Sequence, residues 1–150
     1  MQLNVSTCYA LQIMLFLSRN ENIVSSTKLS DNLQISQRYI LQIAGKLRDG
    51  GLIDTQAGMR GGYALTRDSS SISVYDIIAL LEGDMSIPQC VTPCKNANLH
   101  CALNILKEYH DTYLKTITFD KLADMETDGK LSTVIGMVET HIVAMKQHIK

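Results

Sequence analysis

Residues 35–51 read ISQRYILQIAGKLRDGG. Ser36 is a good helix N-cap, because its hydroxyl can accept from the free N–H groups of the first turn. Ile40, Ile43, Ala44 and Leu47 recur at helical spacing and form one inward stripe, and Gly50 and Gly51 end the helix. Just upstream, Ser25 or Ser26 can cap a shorter helix that runs to about Leu33, with Leu29 and Leu33 facing inward. Two short helices, each with one apolar stripe and joined by a short turn, make a helix-turn-helix. The outward face of the second helix opens with Gln37 and Arg38, and Gln42 lies one turn on. Arginine can grip guanine and glutamine can grip adenine at the base edges, and a helix N-terminus favours phosphate.

Downstream, GLIDTQAGMRGGYALTR (residues 51–67) alternates as strand, glycine-rich turn and strand. A hairpin directly after a recognition helix is the wing of a winged helix. Arg60 sits at its tip, and the flanking glycines permit close approach to a phosphate backbone or a minor groove. Upstream, Val5, Tyr9, Ile13, Phe16 and Leu17 predict a largely buried first helix, with Leu11 and Leu15 beside that stripe. SISVYDIIALLEGD predicts a helix from about Val74 to Glu82, stopped by Gly83. From about Asn98 a longer helix carries Leu99, Leu103, Leu106, His110, Tyr113 and Leu114 along one side. An apolar face following a complete small domain needs a covering surface, and a second copy of the chain supplies one that suits palindromic DNA. TFDKLADM reads as a short helix, and Val134, Val138, Ile142 and Met145 predict a last one.

The fold class expected is therefore mainly α with a small β-hairpin wing. It comprises a winged helix-turn-helix and a long C-terminal dimerisation helix. The expected organisation is a DNA-binding domain over 1–83, a cysteine sensor loop over 84–101, a dimerisation region over 98–128 and an extra C-terminal helix over 129–150. Hydrophobic residues make up 45% and charged residues 19%, enough apolar material for a core and too little charge for wholesale disorder. No apolar run is long enough to span a membrane. The apolar start lacks a charged leader and a small-residue cleavage site, so it reads as a folded helix and the chain as cytoplasmic. Residues 1–67 hold seven Lys and Arg against four Asp and Glu, a balance of +3, and residues 68–150 hold seven against eleven, a balance of −4. The basic half is the one suited to a polyanion. No nucleophile elbow, phosphate loop, dinucleotide fingerprint or H-E-x-x-H occurs, and Glu82 and Asp84 flank a helix end without catalytic meaning. The chain reads as a non-enzyme.

Three of the four cysteines fall in CVTPCKNANLHC, residues 90–101, spaced C-x3-C-x6-C, with Pro88 and Pro93 opposing helix. In a reducing compartment such a group suggests metal or thiol chemistry. Thiolates are the usual ligands of iron–sulfur clusters. Cys90, Cys94, Cys101 and His100 also match a tetrahedral zinc set. Lys95 and the following helix start would equally favour a low-pKa thiol able to form a reversible disulfide. Cys8, alone in an apolar helix, is by composition a small core residue.

The stretches ISQRYILQIAGKLRDGGLI, GMRGGYALTR and ISVYDIIALLEG resemble, in residues and spacing, the winged-helix regulators of the Rrf-two family, which includes IscR-, NsrR- and CymR-like proteins. The resemblance covers roughly residues 1–125. It implies a homodimeric repressor-type regulator of double-stranded DNA with a palindromic operator. DNA contacts would fall on Ser36, Gln37, Arg38, Tyr39 and Gln42 in the recognition helix and on Arg60, Gly61 and Gly62 in the wing. It further implies an iron–sulfur cluster on Cys90, Cys94 and Cys101, of a type the residues do not single out, that senses redox state, nitric oxide or cluster status. IscR-like proteins place a histidine three residues after the last cysteine. Asn104 stands there in this chain, which leaves His100 as a substitute ligand. NsrR-like proteins take the fourth ligand from the first helix of the partner subunit, and Cys8 falls at that place. In CymR-like proteins the signal is a bound protein and the cysteines are incidental.

Overall fold

The structure is a computed structural model that describes residues 3–58, 61–83 and 97–125, with only the backbone of Ala97, Asn98 and His100. The chain runs α1 (Val5–Ser18), α2 (Ser26–Leu33), α3 (Gln37–Asp49), β1 (Ile53–Gln56), β2 (Gly62–Leu65), a 3-10 turn (Ser69–Ser71), α4 (Val74–Glu82), α5 (Ala97–Thr116) and α6 (Phe119–Asp124). Arg60, the segment 84–96 with Cys90 and Cys94, the His100 side chain and the tail 126–150 lie outside the described residues.

Local chemistry sets the element ends. Ser25 caps α2 by accepting from Lys28 N at 3.2 Å, and Ser36 caps α3 by accepting from Tyr39 N at 3.4 Å. Between them Gln34 adopts φ +56° and ψ +34°, the left-handed turn that lets α3 leave α2 at an angle. Its side-chain amide donates to Asp31 O at 2.7 Å. Ser73 and Asp76 close a capping box on α4, with Ser73 N donating to the Asp76 carboxylate at 2.8 Å and Asp76 N donating to Ser73 Oγ at 3.3 Å. Gly83, at φ +80°, ends α4 where the glycine was expected to stop it.

One core joins α1 to α4, the hairpin and α6. Ile13, Met14, Leu29, Ile40, Ile43, Leu47, Ile53, Ile77 and Phe119 are buried together. The stripe of α1 is rotated from the sequence expectation. Thr7, Ala10, Ile13, Met14 and Leu17 are buried, whereas Val5 is 61% exposed and Tyr9 is half-buried. The buried Ala10, Ile13, Met14 and Leu17 keep the i, i+3, i+4, i+7 spacing of one helix face, and Thr7 continues that face into a polar contact at the helix start. Asn4 makes no side-chain cap of its own, and the Glu82 carboxylate at the end of α4 fills that place. It accepts from Asn4 N at 2.9 Å, Asn4 Nδ2 at 2.6 Å and Thr7 Oγ1 at 2.5 Å. A carboxylate at a helix N-terminus satisfies free N–H groups and opposes the positive end of the dipole. These bonds hold Thr7 at the end of the buried face, with Val5 outside it.

The wing is an antiparallel hairpin with Ile53 opposite Leu65, Asp54 opposite Ala64, Thr55 opposite Tyr63 and Gln56 opposite Gly62. Its outer edge is paired too: Val24 N donates to Tyr63 O at 2.9 Å, and Tyr63 N donates to Val24 O at 2.8 Å. The loop before α2 thus pairs with the outer edge of β2 at this one bridge and covers it there. After α5 the chain returns to the same body. Val74 N donates to Ile117 O at 2.9 Å and Phe119 N donates to Ile72 O at 3.0 Å, which seats Phe119 in the core.

Candidate nucleic-acid interface and cysteine positions

The N-terminal turns of α3 face outward. Ser36, Gln37, Arg38 and Gln42 are exposed, and Arg38 and Gln42 have no side-chain partner among the described residues. Ser36 Oγ accepts from the helix backbone, which leaves its O–H free to donate to a phosphate. Gln37 Nε2 donates to Thr27 Oγ1 at 2.9 Å, so this amide is tied to α2. Tyr39 is half-buried and meets Tyr9 edge to face, with ring centroids 5.6 Å apart at 87°. Its ring packs α3 on α1. Arg48 is held by its neighbour, donating from Nη2 and Nε to Asp49 Oδ1 at 2.8 and 3.1 Å. The pair is exposed on both sides, so it orients Arg48 more than it stabilises the fold.

The two wing glycines have structural reasons of their own. A Cβ at Gly62 would fall on the Val24 carbonyl oxygen, and one at Gly61 on the Gln56 carbonyl oxygen. Close backbone packing within the protein therefore requires both. A cleft of about 550 Å³ opens between the start of α2, the outer face of α3 and the wing, with Thr27, Leu41, Gly45, Arg48, Thr55 and Gly61 among its walls. Thr27, Leu41 and Gly45 were not singled out from the sequence. Leu41 is 58% exposed, although its residue type in a helical run reads as core.

Cys8 and Cys101 are free, exposed thiols, on α1 and near the start of α5. The core-residue reading of Cys8 is thus corrected: its neighbour Thr7 takes the buried place, held there by Glu82. Among the described residues no three His, Cys, Asp or Glu side chains converge on one point. Along α5, Leu114 is buried and Leu103, His110 and Tyr113 are half-buried, while Leu99, Ile105 and Leu106 are 51%, 60% and 60% exposed. The C-terminal half of α5 is docked, with Lys115 Nζ 4.5 Å from the Tyr75 ring centroid. The N-terminal half carries an open apolar face.

A helix-turn-helix with a polar, exposed recognition-helix start and a hairpin beside it defines a winged-helix DNA-binding protein. Residues 3–125 match the sequence profile of the Rrf2 family, described as iron-dependent transcriptional regulators, and the chain belongs to that family. It is 30% identical to the putative HTH-type transcriptional regulator NMA1593 of Neisseria meningitidis, over 94% of this chain and all of the relative. Its fold matches CymR, the global cysteine regulator of B. subtilis, with a TM-score of 0.75 and 26% identity, covering 84% of this chain and 98% of that one. It also matches IscR of T. potens, with a TM-score of 0.69 and 27% identity, covering 86% and 91%. The protein is a transcriptional regulator of this fold. No helix among the described residues is long and apolar enough to cross a membrane.

Proposed function

We propose that this chain is a homodimeric, sequence-specific regulator in which Cys90, Cys94 and Cys101 hold an iron–sulfur cluster and Cys8 of the second copy completes the ligand set. The observation that carries the reading is the exposure of Cys8. A thiol on a helix with a well-filled buried side points to solvent, where a ligand from another subunit would need to be. The open apolar turns around Leu99, Ile105 and Leu106 support pairing through α5, which would bring each sensor segment near the partner's first helix. Arg38, Gln42 and Ser36 would face the DNA, with Arg60 reaching from the wing.

Thiolate ligation would supply an oxidant- and nitric-oxide-sensitive centre; this chain's own residues would carry its state to the DNA. Glu82 ends α4 where the sensor segment begins, and its carboxylate grips Asn4 and Thr7 beside Cys8. A change at the cysteines would thus bear on α1, on which Tyr39 of α3 packs through Tyr9. Half-sites are read about one helical turn apart, so a small reorientation of α3 changes affinity. Protein purified without oxygen should show visible charge-transfer absorption and bound iron. Cys8→Ala should alter the spectrum and the DNA response while the dimer stays folded. A colourless, iron-free anaerobic protein would overturn the cluster.

The likeness to CymR supports a second reading, in which the same fold is controlled by thiol oxidation or by a protein partner and His100 and the cysteines hold no metal. Capture of a metabolic enzyme by iron-free protein, with DNA binding altered as a result, would favour it.

A further inference from the structure

Gly45 lies in the interior of α3 with ordinary helical backbone, and a Cβ built there meets nothing within 4 Å. Glycine is among the poorest helix formers. Neither backbone conformation nor packing within the protomer calls for it at this position. The missing side chain makes room for something that approaches from outside.

Four residues earlier, and so on the same face, stands Leu41, the one large apolar side chain of α3 that is exposed. Both residues line the cleft between α3 and the wing. Polar side chains stand near the pair: Arg38 lies one turn before Leu41, Gln42 follows it, and Thr27 and Thr55 flank the cleft, whose other walls include the small Ala44 and Ala57. A single large exposed apolar side chain among small and polar neighbours does not suit a broad apolar protein surface. It suits a polar ligand that presents a single methyl. On the major-groove edge of DNA the thymine C5 methyl is that group.

We propose that Leu41 and Gly45 form a specificity pair, with Leu41 packing on a thymine methyl in each half-site and Gly45 leaving space for the duplex to come that close. The inference rests on the DNA-binding reading above. The test uses duplexes selected by the full-length protein from a random pool. Each thymine is then replaced in turn by deoxyuridine, which removes only the methyl. At one thymine per half-site the replacement should weaken wild-type binding about fourfold, the worth of one buried methyl. Leu41→Ala should lose that sensitivity and keep its salt dependence. Gly45→Ala should raise Tm by about 2–5 °C and still bind DNA more weakly, a pairing that a merely structural glycine would not produce. Wild-type indifference to methyl loss at every thymine, an undiminished fourfold loss in Leu41→Ala, or full affinity in Gly45→Ala would overturn the pair. If no duplex is selected at all, the DNA-binding reading falls with it.

Discussion

Gly62→Ala separates two reasons for a glycine in the wing. If the residue serves only the approach of DNA, the substitution weakens binding and leaves the fold intact. The structure gives a different outcome. The added methyl falls on the Val24 carbonyl oxygen, so β2 and the segment before α2 have to part. That parting breaks two backbone hydrogen bonds, Val24 N to Tyr63 O at 2.9 Å and Tyr63 N to Val24 O at 2.8 Å. Each is worth about 1 kcal/mol net, and each donor left dry costs about 1–3 kcal/mol. Val24 and Tyr63 are both buried, with water reaching them only after the edge has opened. The expected loss is about 2–4 kcal/mol in unfolding free energy, seen as a lower urea midpoint at an unchanged slope. A variant as stable as the wild type would refute this reasoning and return Gly62 to the DNA contacts alone.

Glu82 should make the fold acid-sensitive. The Thr7 hydroxyl, then the Asn4 backbone N–H, stabilise its charged form and hold its pKa below the ordinary glutamate value. Its contribution is therefore complete above the unfolded pKa and lost as pH falls through the folded one. Tm measured against pH should drop more steeply on acidification in the wild type than in Glu82→Gln, and parallel curves would remove the clamp from the account. Ser73→Ala breaks the capping box of α4 and should cost about 1 kcal/mol by urea unfolding, with an unchanged midpoint counting against it. Arg60→Ala should weaken binding to all duplexes alike and lower the salt slope by about one. Loss confined to one sequence would instead make Arg60 a base reader.

Much of this molecule is local. Ser36 before an apolar stripe, Gly83 after one, and two short runs on either side of a glycine-rich turn each state their element within a window of a few residues. α3 and α4 accordingly lie where capping and periodicity put them. The exposed candidates Arg38 and Gln42 are legible for the same reason, since a helix with one apolar stripe has an outward face that follows from counting. Tyr39 shows the limit. Its type and position fit a DNA contact as well as a packing one, and only the meeting with Tyr9 brings its ring onto α1.

By itself, then, the sequence determined the described helices, the hairpin, their order and the polar face of α3, because these depend on chemistry between near neighbours. Tertiary structure decided which face of α1 is core, why Gly61 and Gly62 are glycines, and that Cys8 is exposed. Those outcomes depend on groups far apart in the chain: Asn4 and Glu82 are 78 residues apart, and Val24 crosses to Tyr63. Ala10, Ile13, Met14 and Leu17 keep helical spacing, but so do Val5, Tyr9, Ile13 and Phe16, and Thr7 is held among the buried residues by a carboxylate that arrives only when α4 folds against α1.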